Sequence, residues 1–567
     1  MDVILLMITC FLVFFLVYKF YGKFISKKIY ELNDENITPA NEFEDGIDYV
    51  PTRKEIIFGH HFTSIAGTGP IVGPAIGIIC GWLPAIIWIV VGTLVIGAVH
   101  DFGALVLSIR NKGKSISEIT GKYINKRTQR AFFSIVFLEL LIVIAIFGLV
   151  MAVIFDMFPQ SVLPMWFQIP IAIWLGWMVY KKKGNLALFS VIAVILMYSS
   201  VIVGTYIPLT MPGLANIPAT GVWTIILLVY AYIASMLPVT TLLQPRDYIN
   251  SHQLFVALFL LFAGVFAAGF GNPDFHIVAP AININPSEAP PLIPFIFITI
   301  ACGAISGFHS LVSSGTSAKQ LEKETDSQLI GFGAMIMEGV LATLVVIAVA
   351  AGIGIAYQSG EGNILSGIPA WTAHYSSWTA AKGLGSKISA FVIGAANIVH
   401  AIGIPKSVAI VIMGVFVVSF AGTTLDTATR IQRYVLSELF GEVKIFQNRK
   451  FATGVAVVTA GLLAFATGAS GSGALKLWPM FGATNQTLAA LALLLVTIWL
   501  KKKGGKRFLI SGIPCIFMAF ITTWALILNQ INFIGARNTV LLILNLIILS
   551  LNVWIIIEGI IITVKKR

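Results

Sequence analysis

Charge is what this sequence lacks most. Only 11% of its 567 residues are Asp, Glu, Lys or Arg, while 57% are hydrophobic. A soluble chain is about a quarter charged, so the composition excludes an ordinary water-facing surface. The apolar residues fall in runs of roughly twenty, the length that crosses a bilayer core. The chain therefore reads as an all-α polytopic membrane protein. Cysteine is scarce too. Cys10, Cys80, Cys302 and Cys515 lie scattered in apolar segments with no pair at metal-binding spacing, and they read as small buried hydrophobes. No G-x-x-x-x-G-K-[ST] sequence occurs, which leaves ATP-driven pumping by this chain unsupported. The first apolar run, 3–18, follows Asp2 rather than a basic stretch and is followed by no A-x-A site. It reads as a retained helix, not a cleaved signal, and Thr9 before Cys10 argues against a lipoprotein site. The one sizeable polar piece is the loop 21–57, with "NDENITPANEFEDGID", which leaves no room for an appended enzymatic domain. No enzyme activity, cofactor or nucleic-acid partner is expected.

What charge there is has a pattern. The net charge is +12, and the Lys and Arg gather in short loops. Spanning segments are predicted at 2–20, 58–80, 83–107, 130–155, 164–180, 186–208, 220–243, 253–271, 293–316, 330–356, 406–430, 450–468, 476–500, 509–529 and 538–563, about fifteen transmembrane helices. Basic residues follow every odd-numbered segment: Lys19 to Lys28, "RNKGK", "KKK", Arg246, Lys319 and Lys323, Arg430 to Lys450, "KKKGGKR" and 565–567. The loops 81–82, 209–219 and 272–292 hold none. This places the N-terminus outside and the C-terminus in the cytoplasm of a bacterial or archaeal inner membrane. The apolar segment 388–405 would break the alternation if it crossed, so it reads as re-entrant or as an outer hairpin. The predicted organisation is an extra N-terminal helix (1–20), a cytoplasmic loop acting as lid or tether (21–57), a core (58–500) and two C-terminal helices (509–563).

The stretch "FGHHFTSIAGTGPIVGPAIG" (58–77) is apolar enough to span yet carries Gly67, Gly69, Pro70, Gly73 and Pro74 within eight residues. Proline removes a helical hydrogen bond, and each glycine costs about 1 kcal/mol in a helix. A discontinuous helix uses this composition: unwinding frees backbone groups at mid-membrane for a substrate or ion. The substrate-contact candidates are Gly67, Thr68, Gly69, Pro70 and Gly73, with the Ser64 hydroxyl. The alternative is close helix packing through Gly69, Gly73 and Gly77. "HFTSIAGT" (61–68) finds an echo in "HSLVSSGT" (309–316). The two lie in segments of opposite direction, as an inverted repeat requires.

Ionisable groups at membrane depth are costly and default to function. Asp101 beside His100, Glu139, Glu338 and Asp426 are the proton-coupling candidates. Glu139 and Glu338 are the deepest, whereas Asp101 and Asp426 also read as interfacial ion pairs, Asp426 with Arg430 four residues on. Glu558 reads as a partner for a neighbouring helix. Ser313, Ser314, Thr316, Thr423 and Thr424 supply hydroxyls for a proton or sodium site, or bond back to their own helices. Asn485 and Gln486, on an apolar helix, must be satisfied by neighbours or by substrate. Pro238 and Pro245 mark further breaks. His60, His61 and His100 lack a third ligand at proper spacing, so no metal is expected.

Together "FGHHFTSIAGTGPIVGP", "HDFGALVLSIRNKGKSI", "QPRDYIN" and "WPMFGATNQTLAALAL" resemble the carbon starvation protein A family over nearly the whole chain. The resemblance implies a secondary carrier of the amino acid–polyamine–organocation superfamily, with a five-plus-five inverted core whose first helix is 58–80. It implies peptide uptake during carbon starvation or proton-coupled pyruvate uptake, so the expected partners are a short peptide or small carboxylate, a coupling proton or sodium, and lipid. Segment seven is the symmetry mate of 58–80 by counting, segment nine by motif. Rival readings are a passive channel, a starvation sensor and an intramembrane metalloenzyme built on the three histidines.

Overall fold

The computed structural model describes residues 2–358 and 362–564. The basic tail 565–567, read above as the last charged exit, lies outside them. Among the described residues the chain is almost wholly helical. Twelve helices are long and apolar enough to cross a membrane: α1 (Asp2–Tyr30), α4 (Trp82–Ile109), α5 (Lys126–Met157), α6 (Pro159–Lys181), α7 (Leu186–Tyr206), α8 (Ala219–Met236), α9 (Leu243–Gly271), α12 (Glu324–Gly354), α15 (Lys406–Leu439), α17 (Met480–Lys502), α18 (Leu509–Gly535) and α19 (Thr539–Thr563). Between them come α2 (Lys54–Ile65) and α3 (Gly69–Cys80), bent by 41° to one another. Next are two short helices, α10 (Leu292–Thr299) and α11 (Gly307–Gly315), then α13 (Gly367–Tyr375), α14 (Leu384–His400) and α16 (Arg449–Phe465).

Three of the fifteen expected spans are thus not continuous spanning helices. The 58–80 segment is the bent pair α2/α3. The 293–316 segment is split into α10 and α11 by seven non-helical residues, 300–306. The 450–468 segment is the 17-residue α16, about 26 Å at 1.5 Å per residue, one residue shorter than the shortest of the twelve, α8. Two boundaries also move. Helix α1 continues to Tyr30, so the polar loop begins at residue 31 rather than 21 and ends where α2 starts. Helix α8 stops at Met236, so Pro238 lies in the connection and Pro245 in the first turn of α9. The 388–405 segment is mostly α14, an apolar helix of 17 residues.

The layering follows from side-chain character. α17, α12, α15 and α5 are buried nearly all round, whereas α1, α7 and α19 expose most of their apolar surface. Ile195, Phe520 and Ile560 are large, apolar and more than half exposed, as a hydrocarbon-facing shell requires. A helix apolar on every side belongs in such a centre.

The loops sort by charge. Glu31 binds Arg507 at 2.6 Å, Arg110 is paired with Glu324, and Asp48 lies 2.9 Å from Arg430. The basic loops therefore share one end of the bundle with the 31–53 strap. Val50 and Thr52 donate backbone hydrogen bonds to Lys319 and Gln320, which seals the strap across that end. Burial disfavours the Asp48 carboxylate, but Arg430, Arg433 and Lys319 beside it outweigh that and hold it below the usual range. The other end carries a cap. A two-stranded antiparallel hairpin pairs Tyr357 with Leu365 and Gln358 with Ile364, and α13 and α14 follow it.

Candidate functional site

At the cap end a cavity of about 1000 Å³ opens between α3, α10, the cap and the end of α18. Its wall includes Gly69 and Gly73 of α3, Thr299 and Cys302 at the second break, Trp378, and Asn529 and Asn532 of α18. The two broken segments meet there. A Cβ on Gly69 would lie 2.4 Å from the Cys302 side chain, and one on Gly73 would lie 2.7 Å from the Thr299 carbonyl oxygen. Only glycine allows backbone to come this close. Gly303, with φ +89°, turns the chain at the second break beside Pro70.

That break is held open by side chains on two other helices. The Trp88 indole donates to the Ile300 carbonyl at 2.9 Å, and the Thr93 hydroxyl to the Gly303 carbonyl at 2.9 Å. Asn485 accepts from the Phe308 amide at 2.9 Å and donates to Ser306 at 3.0 Å. Gln486 donates to the Phe297 carbonyl at 2.8 Å. Unpaired backbone groups in a membrane cost several kcal/mol each, so these four side chains make a non-helical stretch affordable at depth. Asn485 and Gln486 clasp the two sides of the 300–306 break.

Beneath the cavity floor sits a buried acid–imidazole chain. His100 Nδ1 lies 2.7 Å from Asp101 Oδ1, and Asp101 Oδ2 lies 2.8 Å from His309 Nδ1. His309 Nε2 faces Glu338 Oε2 at 3.3 Å. All four side chains are fully buried. Neither Glu338 oxygen nor His309 Nε2 has a hydrogen-bond partner among the described residues. Asp101 is therefore not at an interface, as one expectation had it; α4 carries it inward to the second broken segment. Cys302, His309 and Glu338 each offer a ligand atom within 4.8 Å of the others. They form the one set of His, Cys, Asp and Glu side chains compact enough for a metal ion among the described residues. His60, His61 and His100 do not belong to it.

A second polar cluster lies nearer the strap. Asp247 accepts from Thr423 at 3.1 Å and from Arg246 at 3.0 Å, and faces His60 Nδ1 at 2.6 Å. Arg246 also grips Asp426, which accepts from Tyr230 at 2.9 Å. Asp426 is thus buried and paired with Arg246, not with Arg430. The i, i+4 spacing put Arg430 on the right helix, but its guanidinium turns to Asp48 and the Leu237 carbonyl. His60 Nε2 reaches Thr316 at 3.1 Å. The end of α2 is pinned to α15 as well: Thr424 donates to the Ser64 carbonyl, and the Ser64 and Thr427 hydroxyls lie 3.2 Å apart. A Cβ on Gly67 would meet Thr424 at 2.4 Å.

The remaining sequence candidates divide. Gly69 and Gly73 line the cavity; Thr68 and Pro70 are buried at or beside the first break. The five hydroxyl residues do not converge on one ion. Thr423 and Thr424 serve the strap-side cluster and the α2 end, Thr316 serves His60, and Ser314 bonds back to the Ser310 carbonyl at 2.7 Å. The Ser313 hydroxyl and both Glu139 oxygens have no partner among the described residues. Glu558 accepts from Asn125 of a neighbouring element at 3.2 Å. Sequence reasoning passed over His309 as a site residue, and Arg246 and Asp247 as a charge pair. The first was visible only as an echo of His61, Asp247 only inside "QPRDYIN", and Arg246 as the basic exit of segment seven, whereas it is buried in α9.

The model of carbon starvation protein CstA matches residues 2–525. The chain belongs to the CstA family. A relative named peptide transporter CstA from Helicobacter pylori strain 26695 is 35% identical over 91% of this chain and 80% of its own length. Another peptide transporter CstA, from Bacillus subtilis, is 32% identical over 92% of this chain and 89% of its own. The pyruvate/proton symporter BtsT of Escherichia coli is 32% identical over 91% and 80%. Among solved structures, a manganese transporter mutant from Eremococcus coleocola is similar with a TM-score of 0.52, covering 91% of this chain and 99% of that one at 11% identity. That likeness speaks to the fold of this CstA-family member alone.

Proposed function

We propose that this protein is a secondary active transporter that takes up short peptides in carbon starvation, with protons as the coupling ion. The observation that carries the reading is the meeting of two broken segments at the floor of a cavity, directly above an unpartnered carboxylate–imidazole pair. Substrate enters from the cap end, and the start of α3 at Gly69–Gly73, just past the break at 66–68, together with the second break at 300–302 supplies its contacts. Glu338 and His309 exchange the proton, with Asp101 and His100 as the relay behind them. The strap end must open as the cap end closes, so that binding at the floor shifts the balance between two states. Relatives named as peptide transporters support the substrate class. In this reading the membrane is the cell's inner one, with the N-terminus and cap outside and the strap in the cytoplasm, an orientation that the loop charges support. The two broken segments are the symmetry mates of an inverted repeat, in the manner of the amino acid–polyamine–organocation carriers. The proposed substrate-contact set is Ser64, Gly67, Thr68, Gly69, Pro70 and Gly73, with Asn485 and Gln486 lining or bracing the path.

A second reading, pyruvate/proton symport, is favoured by one relative of that name at nearly the same identity. Both readings meet one test. The protein is reconstituted in liposomes under an inward proton gradient and offered labelled dipeptide and labelled pyruvate side by side. Accumulation of dipeptide above the outside concentration is expected. Accumulation of pyruvate alone selects the second reading. Accumulation only under a sodium gradient replaces the proton, and accumulation of neither by folded protein removes active transport.

A further inference from the structure

The cap holds a charge that nothing above uses. Lys387, on α14, has no exposed surface, and its Nζ makes no hydrogen bond among the described residues. Its ammonium stands 4.5 Å above the Tyr375 ring, and no carboxylate of the described residues is within ion-pair distance. A second unpartnered nitrogen lies close by. His374 is 4% exposed and its Nε2 has no partner. The charge of Lys387 reaches the imidazole, which burial and that charge push down to about 4, leaving it neutral at physiological pH.

The surroundings are aromatic rather than acidic. The His374 ring packs edge-on against Tyr357 at 4.4 Å, and Trp371 stacks on Tyr375 at 4.1 Å. The Tyr375 hydroxyl donates to the Ala75 carbonyl at 2.5 Å, so this cap pocket is fastened to α3, whose Gly69 and Gly73 line the cavity. Leu384, one turn before Lys387 on the same helix, lines that cavity too. An uncompensated buried ammonium is costly, and an aromatic face returns only part of the cost, so burial pushes the Lys387 amine down to about 7. A supplied anion returns the rest, and a carboxylate accepts hydrogen bonds from both nitrogens at once.

We propose that Lys387 and His374, which lie behind the cavity wall at Leu384 rather than on it, form an acid-reading site that the cavity reaches when the cap shifts, a site for the carboxylate of a peptide C-terminus or of a small organic acid. The inference rests on the transport reading for its substrate, but its test is one of binding. Purified full-length protein in detergent is titrated with dialanine and with dialanine amide, following tryptophan fluorescence. The wild type is expected to bind the free acid at least about tenfold tighter than the amide, as hydrogen bonds to a charged group imply. Lys387→Met is expected to erase that preference, leave the amide affinity where it was, and keep or raise the melting temperature. Lys387→Arg should retain a preference.

An absent preference in the wild type overturns the site. So does a preference that survives in Lys387→Met, or one lost in Lys476→Met instead, which would put the acid end at the exposed rim. Should Lys387→Met fail to fold, His374→Gln with the same two ligands decides: an unchanged preference overturns the site. The two readings fail separately. Acid-selective binding without uptake removes transport and leaves the site, and uptake without acid preference does the reverse.

Discussion

The two buried polar clusters have similar parts and opposite bookkeeping. Around Asp247 and Asp426 a permanent guanidinium, Arg246, is present beside Tyr230, Thr423 and His60, and only Asp426 Oδ1 of the four carboxylate oxygens lacks a hydrogen bond among the described residues. Around Asp101 and Glu338 no Lys or Arg of the described residues is in ion-pair contact, only His100 and His309, and both Glu338 oxygens lack hydrogen bonds among the described residues. A guanidinium stays protonated at any physiological pH, so the first cluster holds a cation that does not give up its proton. A carboxylate paired with imidazole can exchange one, because imidazole changes charge near neutral pH. The first cluster ties α2, α8, α9 and α15 together; in the proposed transport cycle the second changes state.

The comparison can be broken most severely at its fixed member. Arg246→Met leaves two buried aspartates without their cation and is expected to cost about 3–5 kcal/mol, read as loss of monodisperse folded protein in detergent. Arg246→Met with Asp426→Asn should recover part of it. If the single variant is as stable as wild type, the first cluster is not the brace. The changeable member is next. Glu338→Gln is expected to fold normally and exchange substrate across liposomes, yet lose accumulation driven by a proton gradient; unaltered accumulation excludes Glu338 as the carrier. Gly69→Ala tests the joint between the breaks. Its methyl group would overlap Cys302, at about 1–3 kcal/mol and most of the uptake rate, and Cys302→Ala should relieve part of the stability loss.

The smallest effect is expected at the strap. Asp48 is held below the ordinary aspartate range, so its contribution is full above about pH 4, the unfolded value, and fades as pH falls through the lower folded one. Asp48→Asn should make the 31–53 strap cleavable by protease at neutral pH, whereas the wild type should resist until strongly acid. Equal resistance in both would mean the backbone bonds of Val50 and Thr52 suffice.

The first break was legible in the sequence because proline and glycine announce it. The second was not. "ACGAISG" (301–307) has no proline and only two glycines, and reads as a small-residue helix until Trp88, Thr93, Asn485 and Gln486 are seen holding its backbone. Those residues lie between 177 and 212 positions away from their partners. The eight-residue echo misled in its register: His61 precedes its break, whereas His309 follows its own. The Asp426 pairing failed for a related reason. Helical spacing reveals who shares a face, but Arg246 comes from another helix, 180 residues away. Glu338 needed no partner to be noticed, since a lone carboxylate in an apolar run stands out in one dimension.

Cys302 has a practical side. Of four thiols in the chain, Cys10, Cys80 and Cys515 pack into helix contacts, and Cys302 alone among them borders the open cavity. The protein therefore carries a native reporter at the point where its two breaks touch. A membrane-impermeant maleimide should label one sulfur per chain from the cap side, and a ligand that closes the cavity should slow that labelling. The working cycle can then be timed by mass spectrometry in unmodified protein.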